Sequence, residues 1–80
     1  MHESHLIEPV IKGISQHAAE EGASVVKKVT IKVGVLTGVK EESFRETFGV
    51  LSKGTMLENA ELEVIFFPGT IVQVISFDVE

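Results

Sequence analysis

The chain has 80 residues, no cysteine, 12 acidic and 7 basic side chains, and a formal net charge of -5. With 44% hydrophobic and 24% charged residues it has a globular composition rather than that of a disordered tail. The missing cysteine excludes disulfides and Cys-based zinc or iron–sulfur sites, and the acidic balance argues against nucleic acid as a partner.

The opening, Met1-His2-Glu3-Ser4-His5, has no basic region followed by an apolar stretch, so no signal peptide is expected. Leu6, Ile7, Val10, Ile11, Ile14 and Ala18 then recur at helical spacing and predict a first amphipathic helix. Ser4 is the expected N-cap, Glu8 and Lys12 form a favourable i,i+4 pair, and Gly22 is the stop. Pro9 is awkward in this helix and predicts either a late start or an irregular first turn.

Between Val25 and Leu36 the period changes to two. Val29, Ile31, Val33 and Val35 alternate with Thr30, Lys32 and Gly34, which predicts a half-buried strand with a polar outer face. Lys27, Lys28 and Lys32 are read as part of that solvated face. Gly34-Val35-Leu36-Thr37-Gly38 is neither a P-loop nor a dinucleotide fingerprint and marks the end of the strand. Phe44, Phe48 and Leu51 predict a second helix, with Glu41-Glu42 in its first turn and Gly54 as its stop. Thr55–Ala60 is a turn region. Glu61–Phe67 and Thr70–Val79 are strand-like, and Pro68-Gly69 between them suits a tight turn, so a β-hairpin is expected. The longest apolar run, Val64-Ile65-Phe66-Phe67, is far short of the ~20 residues of a membrane span.

The element order is α-β-α-β-β. The expected fold class is α+β, one domain over residues 1–80 with two helices on one face of a three-stranded mixed sheet. In the expected hairpin Phe66 lies opposite Ile71, Val64 opposite Gln73 and Leu62 opposite Ile75. The reverse face then exposes Ile65, Phe67, Val72 and Val74, an apolar patch that predicts a homodimer or a protein docked on the sheet.

No catalytic constellation is visible, so no enzyme is expected: Ser43 and Ser52 have no histidine in their half of the chain to activate them. The first residues carry different chemistry. Met1 and His2 offer three nitrogens within a short span: the terminal amine, the His2 amide and the His2 imidazole. Amine and amide close a five-membered chelate ring, and imidazole Nδ1 closes a six-membered one. Alternatively the Glu3 amide replaces the amine. Such a planar nitrogen set favours Ni(II) or Cu(II) over Mg(II) or Ca(II). A bulky His2 normally prevents removal of the initiator methionine, so the Met1 amine is expected to persist. His5 is close enough to face the same metal if the first turn is helical, and is otherwise a solvent-exposed residue of that turn. His17, near the end of the first helix, is read as a surface residue interacting with the helix dipole.

Met1-His2-Glu3 followed directly by an amphipathic helix resembles the HypA/HybF-type nickel-insertion proteins of hydrogenase maturation. So do Val29-Thr30-Ile31-Lys32-Val33-Gly34-Val35-Leu36-Thr37-Gly38-Val39, Glu42-Ser43-Phe44-Arg45, Leu51-Ser52-Lys53-Gly54-Thr55, Asn59-Ala60-Glu61-Leu62-Glu63-Val64 and the stretch from Val72 to Glu80. The resemblance implies a cytoplasmic metallochaperone that delivers Ni(II) toward the [NiFe]-hydrogenase large subunit together with a GTPase partner. It implies a nickel site on Met1, His2 and Glu3, with His2 as the indispensable side-chain ligand and Glu3 supplying backbone nitrogen or a nearby carboxylate. Family members carry a zinc module with paired Cys-x-x-Cys motifs between the last two strands. Here Phe67 passes through Pro68-Gly69 into Thr70, so no structural zinc is expected. The start also departs from the family at Ser4-His5 and Pro9. The alternative function is a non-delivering regulatory or protein-binding module that keeps the fold.

Overall fold

A computed structural model describes residues 4–80. The elements run α1 (Ser4–Glu20), β1 (Val26–Gly34), a single 3₁₀ turn (Val35–Thr37), α2 (Glu41–Leu51), β2 (Glu61–Phe67) and β3 (Val72–Val79). The sheet order is β2-β1-β3, with β1 parallel to β2 and antiparallel to β3.

The apolar stripe of α1 is seated as its spacing predicts, with Ile7, Ile11, Ile14 and Ala18 buried. Ser4, the first described residue, is already helical and the helix runs through Pro9, so it does not start late. Pro9 lacks the N–H that would bond the His5 carbonyl, a loss close to the helix start where few bonds depend on it. Glu8 and Lys12 do not meet as an ion pair; among the described residues the pairs are His17–Glu21, Lys27–Glu80, Lys28–Glu63 and Arg45–Glu41. Gly22 ends the helix with φ +79°, while Ala23 N–H bonds the Ala18 carbonyl at 3.0 Å and Gly22 N–H bonds the Ala19 carbonyl at 3.0 Å. This is the paired-bond C-cap that a left-handed glycine permits.

Val26, Val29, Ile31 and Val33 of β1 are buried together with Ile7, Ile11 and Ile14 of α1, Phe44 and Phe48 of α2, and Leu57. Both helices therefore pack on the face that Val29, Ile31 and Val33 present. The ladder sets Val29 between Leu62 and Phe77, Ile31 between Val64 and Val74, and Val33 between Phe66 and Val72. All six neighbours pack against the same core. Val35 leaves the strand for the 3₁₀ turn and is half exposed, so the alternation stops one residue earlier than its pattern suggests.

The expected hairpin does not form. β2 and β3 lie on opposite sides of β1, and the link between them crosses the end of that strand. Gly34 N–H bonds the Ile71 carbonyl at 2.8 Å and Leu36 N–H bonds the Gly69 carbonyl at 2.9 Å. The reason is burial. β1 is the strand with the most complete apolar set, and the central place covers it on both edges, whereas a hairpin would have left it at the rim. Only half of the expected reverse-face patch forms: Val72 and Val74 join the helix-covered face, while Ile65, 43% exposed, and Phe67 stay on the open one beside Lys32 and Gly34. The rest of the open face is polar: Thr30 Oγ1 donates to Glu63 at 3.2 Å, and Lys32 Nζ sits 4.7 Å from the centre of the Phe67 ring.

Gly34 shows how close the crossing link comes. A Cβ there would collide with the Gly69 carbonyl and lie 2.7 Å from the Thr70 nitrogen. Gly34→Ala is expected to destabilise the protein by about 1–3 kcal/mol, the usual range for overpacking, read as a lower urea midpoint. A midpoint equal to the parent's would show that the link yields freely.

Candidate metal centre

The N-terminal residues join a helix that is firmly held. Ile7, Ile11 and Ile14 fix α1 over the sheet, and His5 is exposed in its first turn. Met1, His2 and Glu3, expected to hold the metal, lie outside the described residues. His17 stands at the other end of the same helix, ~18 Å from His5 along the axis at ~1.5 Å per residue. The two histidines are therefore not brought together.

His17 is engaged elsewhere. Its Nε2 lies 3.4 Å from a Glu21 carboxylate oxygen, and its ring meets the edge of Phe77 at a centroid distance of 5.5 Å. The expected surface role holds, but the contacts are a carboxylate and an aromatic ring of β3. Among the described residues no three His, Asp or Glu side chains converge on a point where a metal ion would sit.

The other polar groups weighed from sequence are structural. Ser52 is buried, and its hydroxyl donates to the Gly49 carbonyl at 3.3 Å. Glu41 receives Arg45 Nε at 2.9 Å, and Arg45 Nη1 donates to the Leu62 carbonyl at 2.8 Å, tying α2 to the outer edge of β2.

Sequence reasoning missed a groove of about 570 Å³ between α1 and β3, bordered by Pro9, Gly13 and His17 on one side and Val74, Ile75 and Phe77 on the other. It depends on β3 lying beside β1 under α1, which the hairpin reading did not allow. Gly13, a glycine inside a helical pattern, was the available signal.

A family model described as hydrogenase/urease nickel incorporation, metallochaperone, hypA matches residues 1–72. The chain is 41% identical over 69 residues to the hydrogenase maturation factor HypA of Beijerinckia indica, covering 86% of this chain and 61% of that protein. It is 45% identical over 65 residues to the HypA of Francisella philomiragia, covering 81% of this chain and 57% of that one. The chain thus spans about three fifths of the length of these curated relatives. Its fold is similar to the solution structure of the Ni metallochaperone HypA from Helicobacter pylori, with a TM-score of 0.83, 12% identity and 96% of each chain covered. A second HypA solution structure gives a TM-score of 0.82 at 14% identity, covering 100% of this chain and 97% of that one.

Proposed function

This chain belongs to the HypA family of hydrogenase/urease nickel-incorporation metallochaperones, and from that premise we propose that it holds Ni(II) at Met1-His2-Glu3 and hands it on by ligand exchange. The observation that carries this reading is the span of the family match, which begins at residue 1 and so takes in the nitrogen-rich start as well as the fold behind it. His2 supplies the imidazole, Met1 the amine or Glu3 an amide, and His5 is the nearest further imidazole. Deprotonated amides are anionic donors, and the positive end of α1 favours negative charge close by.

The proposed clients and helpers are the [NiFe]-hydrogenase large subunit and a maturation GTPase, met in the cytoplasm. Residues 1–80 act as one nickel-binding unit that needs no structural zinc. Among the described residues no helix is long and apolar enough to cross a membrane. A second reading is a module that keeps the fold and regulates or binds without delivering nickel.

Nickel titration of the untagged protein tests the site. One near-stoichiometric equivalent supports the chaperone, whereas weak, unsaturating uptake overturns it and leaves the regulatory module. Extending the N terminus with a retained tag is expected to weaken binding, because it converts the Met1 amine into an amide. Equal affinity with and without the tag would remove the amine from the ligand set and leave the form that uses the His2 and Glu3 amides.

A further inference from the structure

We propose that the open face of the sheet is a docking surface for an amphipathic helix of another protein, one whose apolar stripe carries a single carboxylate that meets Lys32.

The two helices cover one face only, and the strand register divides the other into two unlike halves. On the parallel side Lys28 lies beside Glu61, Thr30 beside Glu63, Lys32 beside Ile65 and Gly34 beside Phe67. On the antiparallel side Asp78 and Ser76 flank Lys28 and Thr30. The half at the start of β1 is therefore polar, and the half at its end is apolar. Ile71 adds to the apolar half. It precedes Val72, which packs toward the helices, its carbonyl accepts the Gly34 N–H, and it is 53% exposed. Leu36, whose N–H bonds the Gly69 carbonyl, is 72% exposed, more than any other large hydrophobic among the described residues. A Cβ on Gly69 would collide with the Phe67 ring, so that ring lies against the link crossing the end of β1. Backbone hydrogen bonds and close packing thus build the patch into the fold, and an apolar patch rimmed by polar residues marks an interaction site.

Charge specifies the occupant. Lys27 pairs with Glu80 and Lys28 with Glu63, but among the described residues no carboxylate pairs with Lys32, whose Nζ lies over the Phe67 ring. A cover made only of apolar side chains would bury that charge unpaired, which is costly. A carboxylate set within the cover pairs with it through a charge-assisted hydrogen bond. Where the cover reaches Glu61 and Asp78 it must be uncharged or basic.

A side-chain face takes up packed side chains rather than a further strand. Neighbouring strands lie about 4.8 Å apart, so three span about 10 Å, and one helix about 10–12 Å across fills that width. The sheet then has helices on both faces, a stable layered arrangement. A second copy of this chain does not suit the face. Stacked in one sense it sets Lys32 on Lys32, and in the other it lays Glu61, Glu63 and Asp78 over Ile65 and Phe67.

The proposal is independent of the nickel reading and is tested on the untagged chain without metal. The probe is a pair of synthetic alanine-rich helical peptides. Each has a leucine stripe interrupted by one residue, glutamate in the first and glutamine in the second. In an NMR titration the glutamate peptide is expected to saturate and to shift the amides of Ile65, Phe67 and Ile71, leaving those of Gly13 and His17 on α1 in place. The glutamine peptide is expected to bind at least about tenfold more weakly, the scale of one hydrogen bond to a charged group. Lys32→Met, which keeps the apolar stem and removes the charge, is expected to abolish the preference, and Leu36→Asp to weaken both peptides. The comparison of the two peptides on the parent chain needs no variant and decides the matter if a substituted chain fails to fold. An absence of saturable binding overturns the proposal, as does equal affinity for the two peptides. So do shifts confined to α1, or a concentration-dependent dimer that shifts Ile65 and Phe67 with no peptide present, which would assign the face to a second copy.

Discussion

His2→Ala is expected to abolish the near-stoichiometric nickel site while leaving the fold and its thermal unfolding unchanged. The imidazole is the only side-chain nitrogen in the proposed chelate, and its loss opens the six-membered ring that clamps the metal. Removing an outer-shell partner of a metal ligand costs about 10–100-fold in affinity, so removal of the ligand itself should exceed that range. Binding should also fall with pH in the parent, because imidazole and amide nitrogens must be deprotonated to ligate. His5→Ala is the informative contrast. The chelate supplies three donors to a planar ion that takes four, and His5, exposed in the first turn of α1, is the internal candidate for the fourth. Unchanged spectra and affinity in His5→Ala would assign that position to water or a partner. Parent-like nickel binding by His2→Ala would sink the N-terminal site altogether.

The largest expected effect on stability is at Phe44. Its ring is fully buried where α2 meets the sheet, in the cluster with Ile31, Val33 and Leu57. Truncating a buried phenylalanine to alanine costs about 3–5 kcal/mol, through lost transfer energy and the cavity left behind. At ~0.05–0.15 kcal/mol per residue, a chain of this size has roughly 4–12 kcal/mol in total. Phe44→Ala should therefore remove about a quarter or more of the stability, seen as a lower urea midpoint with little change in slope. A loss below about 1 kcal/mol would mean that α2 collapses into the space and the core is far more plastic than its packing indicates. Because Phe44 is no part of the proposed ligand set, the fraction that remains folded should bind nickel like the parent, which separates this effect from that of His2.

The two helices were legible because each carries one apolar stripe with a usable stop. Ile7, Ile11, Ile14 and Ala18 are buried on α1, and Phe44 and Phe48 on α2. The parallel pairing of β1 and β2 followed from the helix between them. The place of β3 did not follow. Pro68-Gly69 is locally as suitable for a tight turn as for a bend across the end of β1, and the strands on either side are apolar on both faces. What decides between the two is a non-local quantity, the burial of Val29 and Ile31 on both edges of their strand. Leu57 was hidden for a related reason: it lies among turn residues with no periodicity, yet is fully buried. The proposal of His2 rests on coordination chemistry and family resemblance alone, and the residue lies outside the described ones. The groove beside α1 was invisible as long as β3 was placed next to β2.

The central position of β1 also sets the order of events in folding. Its antiparallel neighbour comes from far along the chain, with Val33 paired to Val72 and Val26 to Val79, so a long loop must close before that ladder forms. Helix–coil relaxation takes roughly a microsecond or less, so α1 can coil early, but part of its seat, the contact of His17 with Phe77, forms only when β3 is in place. Refolding should therefore be limited by closure of the β1–β3 ladder rather than by either helix. α1 can thus coil early and still complete its packing only when the last strand arrives.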